Sequence, residues 1–512
     1  MKNNKHQILY KALVLSLAII IIIFNNNKAL SLNEITAEKI DLKAEDIEPA
    51  AVLPLSIESV TDLALKNSLE IQIAKYDTYR SRTKLEKEES IFDTFLTLEA
   101  SHRDNKQQLS STTDNSRTRS KSFSMGLEKT LPTGSTIELK AEDGRTSSSL
   151  STVTISPNYE TSGTLALTQP LGKNFFGLQD RGEIKITKID IENAKYSSLD
   201  SIESIIYNVQ TEYWNLALRD RILNIRNDML NKSKELYAKY EDKYSRGLAE
   251  EVDIFAVKAS LQSRKNELLI AELERELAKN NLLFLLNEED SSINIKTLDG
   301  LKTELLSKDI DTELERAIEA RRDYKIIKNK LKSKDIDISM KKNSLWPEID
   351  LEASFTKNGI RSSESDAWSD LSRENDSQTY VGISFNIPLE NRAARSELKE
   401  AHLYKEQLLL SLKKVERLIL KEVYNKVKSV NSLKSQAELY NSIVELQRNK
   451  LHEEMKRFNY GRSSSDTVIR YEEDLLNAEL NLAATLYNYH ISLIDLAIKK
   501  NTLLDKYWNS TL

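Results

Sequence analysis

Residues 163–171 read Gly-Thr-Leu-Ala-Leu-Thr-Gln-Pro-Leu, and residues 381–389 read Val-Gly-Ile-Ser-Phe-Asn-Ile-Pro-Leu. In both stretches apolar and polar residues alternate up to a Pro-Leu pair. A period of two is typical of a β-strand with one apolar and one polar face. The same alternation surrounds each stretch, in zones at about 92–171 and about 347–389. The sequence therefore predicts two groups of strands that lie far apart in the chain.

Segments rich in Ser, Asn, Asp and Arg interrupt these zones at 103–120, 143–158 and 357–378. Such composition favours long polar loops. The first zone contains four strand-like stretches, whereas the second contains two. We interpret the difference as an added hairpin in the first zone.

The rest of the chain is poor in turn-forming residues. Of 512 residues, 12 are Gly and 7 are Pro, where average usage gives about 36 and about 26. No proline occurs from Glu183 to Trp346 or after Leu389. These segments are predicted to be long helices, and beyond Gly461 apolar residues step by three and four, as in a coiled-coil seam. The seam residues are Val468, Tyr471, Leu475, Ala478, Leu482, Thr485 and Tyr489.

The chain is an internal duplication. Leu98-Glu-Ala-Ser recurs as Leu351-Glu-Ala-Ser, and Tyr244-x-x-Gly247 matches Phe458-x-x-Gly461. Self-similarity at matched positions indicates two copies of one structural unit. Each unit reads as a helix, strands, a long helix, a glycine turn and a second helix.

The N-terminus has the features of a secretory signal peptide. Lys2, Lys5 and Lys11 precede an apolar run at 12–24, which is short for a membrane-spanning helix. An uncleaved anchor is the alternative. The predicted organisation is a signal peptide at 1–30, an N-terminal extension at 31–55, a first repeat at 56–300 and a second repeat at 301–512.

Strands with one apolar face in an exported protein can form a sandwich or a membrane barrel. The strand zones are too small and too far apart to bury a sandwich core, and open strand edges cannot face lipid. Several copies must then share one barrel, with lipid outside and a polar lumen. The predicted fold is therefore mainly α with a membrane β-barrel portion. The predicted lipid-facing residues are Leu165, Leu167, Ile383 and Phe385.

The sequence offers no pattern for catalysis. It has no cysteine, its histidines lack the spacing of a metal-binding helix, and it contains no P-loop or dinucleotide-binding glycine motif. The net charge of −5 gives no basic footprint for nucleic acid. We therefore expect no enzyme activity, no cofactor, no metal site and no nucleic-acid partner.

The duplicated pattern, the L-T-Q-P-L segment ending at Leu171, the P-L-x-N segment ending at Asn391 and the two glycine turns resemble the TolC-like outer membrane efflux proteins. The resemblance implies a homotrimer with a shared β-barrel in the outer membrane and a long α-helical barrel in the periplasm. It also implies a passive exit duct for tripartite efflux or type I secretion, opened by a periplasmic adaptor and an inner-membrane transporter. A periplasmic coiled-coil adaptor or structural protein without a barrel is the alternative.

The resemblance further implies that the two glycine turns form the periplasmic tips, where the tube closes and the adaptor docks. Asp253, six residues after Gly247, occupies the family's acidic closing position. Phe458, three residues before Gly461, occupies the position of its aromatic partner but lacks a tyrosine hydroxyl. The closing contacts are therefore expected to be only partly reproduced.

Two further charges stand one residue from family positions. Ser463 replaces the family's arginine, with Arg462 beside it, and Thr467 replaces the second acid, with Asp466 beside it. A ring of symmetry-related carboxylates would attract cations to the entrance. Solvated charge at a helix end is the alternative for each. The predicted gate residues are Tyr244, Gly247, Asp253, Phe458, Gly461, Arg462 and Asp466.

Overall fold

The structure is a computed structural model that describes residues 52–108, 115–149, 155–290, 292–303, 309–371, 376–505 and 507. The predicted signal peptide and most of the predicted extension lie outside these residues. In chain order the elements are β1 (Val52–Leu55), α1 (Ile57–Asn67), α2 (Leu69–Glu89), β2 (Thr94–Gln108), β3 (Asn115–Thr130), β4 (Thr136–Ser148), β5 (Asn158–Pro170), α3 (Leu178–Ser245), α4 (Glu251–Leu285), β6 (Asn294–Thr297), α5 (Ile310–Ala320), α6 (Arg322–Asn343), β7 (Glu348–Arg361), α7 (Glu364–Asp370), β8 (Ser377–Asn386), α8 (Arg392–Asn459) and α9 (Ser465–Lys500).

Both strand zones contribute to one antiparallel sheet. Its order is β2-β3-β4-β5-β7-β8, so β5 of the first zone pairs with β7 of the second. The first zone supplies four strands and the second two, as the sequence predicts. β2 and β8 form the two edges of the sheet, at opposite ends of the strand order.

The predicted loops are much too long. β2 continues to Gln108, β3 begins at Asn115, β4 continues to Ser148 and β7 continues to Arg361. In these outer halves both faces of the strands carry polar residues, so the period-two signal disappears although the ladder of hydrogen bonds continues. Hydrophobic alternation detects a strand only where one face is apolar.

The long predicted helices are present. α3 and α8 each contain 68 residues, a length of about 100 Å at 1.5 Å per residue. Helices of this length need packing along their whole surface, and α4 and α9 fold back along them. α9 also contacts α3, which ties the two halves of the chain together.

The buried stripe of α9 is wider than the predicted seam. Val468, Leu475, Ala478, Thr485 and Tyr489 are buried as predicted, whereas Tyr471 and Leu482 are half-buried. A second row is also buried because α9 packs against both α8 and α3. Its members are Glu472, Leu476, Glu479 and Ala483.

A two-stranded parallel sheet packs against the helical part of the chain. β1 pairs with β6, and the Tyr213 hydroxyl of α3 donates to the Asp299 carboxylate at 2.8 Å. Asp299 in turn accepts a hydrogen bond from the Ile57 amide, at 2.7 Å, where α1 begins. These contacts hold the start of the first predicted repeat against its predicted end.

Candidate functional site

One face of the sheet is apolar across all six strands. Leu165 lies opposite Leu139 on one side and Phe355 on the other, and Leu351 lies opposite Ile383. The register is continuous, so side chains of this row share one face. The four predicted lipid-facing residues all lie on it and are exposed in the single chain. Their relative exposures are 51% for Leu165, 40% for Leu167, 55% for Ile383 and 63% for Phe385.

The opposite face is polar and mostly acidic. Glu128 of β3 lies directly opposite Glu138 of β4, an arrangement that is unfavourable unless the carboxylates are solvated. On the described strands this face carries eight carboxylates and two basic side chains. The acids are Glu99, Glu128, Glu138, Glu142, Glu160, Glu348, Asp350 and Glu352, and the bases are Arg103 and Lys140.

The helices meet the sheet at one end. α2 and α6 lead into the starts of β2 and β7, while β5 and β8 lead into the starts of α3 and α8. The last residues of β2, β4 and β7 therefore lie at the far end of the sheet. This polarity separates a helical end from a distal end of the molecule.

The two glycine turns lie at the other ends of α3 and α8. Gly247 and Gly461 both adopt φ of 70°, the left-handed conformation that glycine accepts without strain. In each turn the residue after the glycine donates its amide to a carbonyl five residues earlier, which forms a Schellman motif. The closing bonds run from Leu248 to Lys243 and from Arg462 to Arg457, each at 2.9 Å.

Side chains from both halves of the chain meet near these turns. The Phe458 ring is buried and lies 5.5 Å from the Tyr240 ring, and the Lys243 ammonium lies 4.1 Å from the Phe458 ring centre. The Ser465 hydroxyl donates to Asp253 at 3.4 Å. Burial raises the pKa of the Tyr240 hydroxyl, and the Asp253 charge acts in the same direction. The two hairpins are therefore packed side by side.

The predicted gate residues differ in their surroundings. Asp253 and Asp466 occupy the first turns of α4 and α9, where the helix dipole stabilises a negative charge. Tyr244 and Arg462 are exposed, whereas Phe458 is buried inside the protomer. Asp253 and Phe458 thus lie in the contact between the two hairpins, whereas Tyr244 and Arg462 lie at the surface.

Sequence reasoning missed two buried carboxylates close to these turns. Glu454 accepts a hydrogen bond from Ser463 and lies 3.3 Å from Arg457. Glu472 is 2% exposed, and burial raises its pKa to about 7 despite the charge of nearby Arg264. Glu472 follows Val468 by four residues, so a wider buried stripe on α9 would have revealed it.

Among the helices that the structure describes, none combines the length and hydropathy needed to cross a membrane. Within the same residues, no group of three His, Cys, Asp or Glu side chains is arranged to hold a metal ion.

The fold matches those of outer membrane channels. The Campylobacter jejuni CmeC outer membrane channel superposes with a TM-score of 0.63 at 16% identity, covering 87% of this chain and 85% of that one. The outer membrane protein VceC of Vibrio cholerae gives 0.64 at 16% identity, with 87% and 95% covered. The Neisseria gonorrhoeae MtrE outer membrane channel, in its open state, gives 0.61 at 16% identity, with 87% and 89% covered.

Sequence comparison identifies the family. No curated protein matches the chain. The family model for outer membrane efflux proteins, however, matches residues 136–288 and 314–498, about two thirds of the chain. Channels of this family are trimers of the outer membrane that work with an adaptor and an inner-membrane pump, and nothing here favours an adaptor without a barrel. This chain belongs to the outer membrane efflux protein family.

Proposed function

We propose that three copies of this chain close a single β-barrel of eighteen strands in the outer membrane and continue it as a helical tube in the periplasm. The observation that carries this proposal is the six-stranded sheet with one apolar face and two open edges. Open strand edges cannot remain in lipid. Three sheets of six strands, joined edge to edge, remove every edge.

The strand directions support this closure. β2 runs away from the helical end and β8 runs back towards it, so β8 of one copy and β2 of the next are antiparallel when placed side by side. Copies then join head to tail, which forms a ring when the rotation closes.

The two repeats proposed from the sequence, 56–300 and 301–512, each contain one of the two segments that match the family model.

The two faces of the sheet support the assignment of lipid and lumen. The apolar face would meet lipid through Leu165, Leu167, Ile383 and Phe385, and the acidic face would line the lumen. Three copies bring 24 carboxylates to that lumen if each contributes the eight named above. Rings of carboxylates favour the passage of cations.

We place the gate and the adaptor-docking surface at the glycine turns. The exposed apolar side chains there, Leu248 and Tyr460, are 73% and 79% exposed in the single chain and offer contact area to an adaptor hairpin. Asp253 and Asp466 would narrow the entrance and set its ion preference, with Tyr244 and Arg462 beside them. The pore is passive, as the resemblance to efflux channels implies, and the cargo is selected by the inner-membrane pump.

The test combines fractionation with electrical recording. The processed protein should be recovered in the outer membrane as a detergent-stable trimer and should form cation-selective pores in planar bilayers. Recovery as a soluble periplasmic protein without pore activity would contradict the proposal. Adding a periplasmic adaptor that binds the protein should increase the fraction of open pores without changing the conductance of a fully open pore.

A further inference from the structure

The outward face of the sheet changes character abruptly beyond its apolar band. On β3, Phe123 and Met125 belong to the band, and the next outward residues towards the distal end are Lys121, Arg119 and Arg117. On β4, Arg145 follows Ala141 and Asp143 on the same face. The step from Phe123 to Lys121 is about 7 Å at 3.4 Å per residue. The cations therefore lie immediately above the apolar band.

These cations form one cluster, which we call the basic belt. The register places Lys121 directly opposite Arg145, with His102 on the other side of Lys121. Arg119 and Arg117 continue the cluster along β3. The basic belt consists of Lys106, Arg117, Arg119, Lys121 and Arg145.

Carboxylates neutralise only part of the basic belt. Asp104 accepts the Arg117 guanidinium at 2.9 Å and lies 3.5 Å from Arg119. Asp143 is half-buried and accepts a hydrogen bond from the side chain of Trp368 in α7. Among the described residues, neither Lys121 nor Arg145 has a carboxylate within ion-pair distance, and Arg145 instead lies 5.7 Å from the Tyr159 ring centre.

Like charges directly opposite each other on neighbouring strands destabilise a sheet. Lys121 and Arg145 are in this position, and both are exposed on the outward side. A bound anion would convert this repulsion into two charge-assisted hydrogen bonds. The arrangement therefore fits a ligand that carries phosphate and lies against the outside of the barrel.

We propose that the basic belt binds the phosphate groups of lipids in the outer leaflet of the membrane. The apolar band below it would contact the acyl chains of the same lipid molecules, so one ligand satisfies both surfaces. Arg guanidinium groups match phosphate geometry with two parallel hydrogen bonds. This inference rests on the proposed function, because it requires the apolar face to meet lipid.

The test measures binding of diphosphorylated lipid A to the purified full-length protein in detergent. The variant Lys121→Gln/Arg145→Gln removes two belt cations. The matched control, Arg103→Gln/Lys140→Gln, removes two cations from the opposite face of β2 and β4. Trimer migration on gels confirms that both variants assemble. We expect the belt variant to bind about tenfold more weakly or worse, because charge-assisted contacts are lost, and the control to bind like the parent.

Two further arms identify the ligand. Dephosphorylated lipid A should bind the parent as weakly as the diphosphorylated form binds the belt variant. Excess inorganic phosphate should leave lipid binding nearly unchanged. Equal binding of both lipid forms, or displacement of the lipid by inorganic phosphate, would overturn the proposal.

The outcome also separates this inference from the proposed function. If the parent conducts in bilayers but the belt variant binds diphosphorylated lipid A as tightly as the parent, the basic belt has no lipid role and the channel stands. If the parent neither inserts nor conducts, the proposed function itself fails.

Discussion

Glu472 is a carboxyl buried in the helical part, where ionisation is unfavourable. Burial raises its pKa from 4.5 to about 7. Between these two values the folded protein holds a proton that the unfolded chain releases. The free energy of unfolding should therefore fall as pH rises through this window, by about 3 kcal/mol in total.

The variant Glu472→Gln keeps the shape of the side chain and removes the titration. We expect it to unfold at the parent's temperature at pH 4 and at a higher temperature at pH 8. Thermal unfolding followed by circular dichroism at both pH values measures this. Glu445→Gln changes an exposed carboxylate of α8 and should keep the parent's pH dependence. A Glu472→Gln protein with that same dependence would show that another group is responsible.

Substitution of Asp253 and Asp466 tests the proposed position of the gate. We expect Asp253→Ala/Asp466→Ala to raise the resting conductance, because the side chains that narrow the entrance are removed. The reversal potential in a salt gradient should shift towards zero, because the entrance loses negative charge. The trimer should remain intact, since each first-turn carboxylate contributes only about 0.3–1 kcal/mol to its helix.

The control for the gate variant is Glu272→Ala/Glu473→Ala, which removes two exposed carboxylates from the same helices away from the turns. It should conduct like the parent. If the gate variant also conducts and selects like the parent, the two carboxylates are solvated charges at helix ends and the gate lies elsewhere.

At the scale of elements, the strand β5 offers an internally controlled test of membrane orientation. Leu167 and Thr168 are neighbours on opposite faces of the sheet. We expect Leu167→Arg to destabilise the folded barrel by about 2–4 kcal/mol if it lies near the bilayer midplane, and Thr168→Arg to cost much less. Denaturant unfolding in lipid vesicles compares the two. Equal losses would show that the assignment of lipid and lumen faces is wrong.

The sequence predicts these elements unevenly, for physical reasons. Strands such as β5 were predictable because one apolar face leaves a period of two. Their distal halves, including residues 103–108 and 115–120, were not, since both faces are polar there. The glycine turns were predictable because Gly247 and Gly461 need a left-handed backbone. Glu472 was missed because a seam with two positions per heptad is narrower than the buried surface of a helix that packs against two neighbours.

At the scale of the whole molecule, the duplication explains the architecture and its asymmetry. Two helices of equal length, α3 and α8, extend from one sheet to which the repeats contribute four and two strands. The sequence indicated the long helices through their lack of proline, and the unequal strand numbers through the added hairpin of the first zone. The proposed edge-to-edge contact between copies has no signature in a single chain, because such a contact depends on backbone groups rather than side-chain patterns.

The contact between β8 of one copy and β2 of the next is the part of the proposed barrel that can be tested most directly. The chain has no cysteine, so introduced pairs report without background. Thr97→Cys on β2 can be combined in turn with Gln378→Cys, Tyr380→Cys, Ser384→Cys or Asn386→Cys on β8, all on the acidic face. Within one sheet β2 and β8 are about 24 Å apart at 4.8 Å per strand. A disulfide requires Cα atoms within about 7 Å, so any bond formed must join two copies.

The most direct measurement is therefore oxidation of these variants in membranes, followed by denaturing electrophoresis. Thr164→Cys/Thr356→Cys is the positive control, because these hydroxyl groups lie 3.0 Å apart in one chain and should close without joining copies. We predict that one β8 position yields covalent dimers and trimers and nothing larger. The proposal of a shared eighteen-strand barrel is wrong if the control forms its disulfide but every β8 variant remains monomeric. It is also wrong if covalent oligomers larger than three copies appear on the gel.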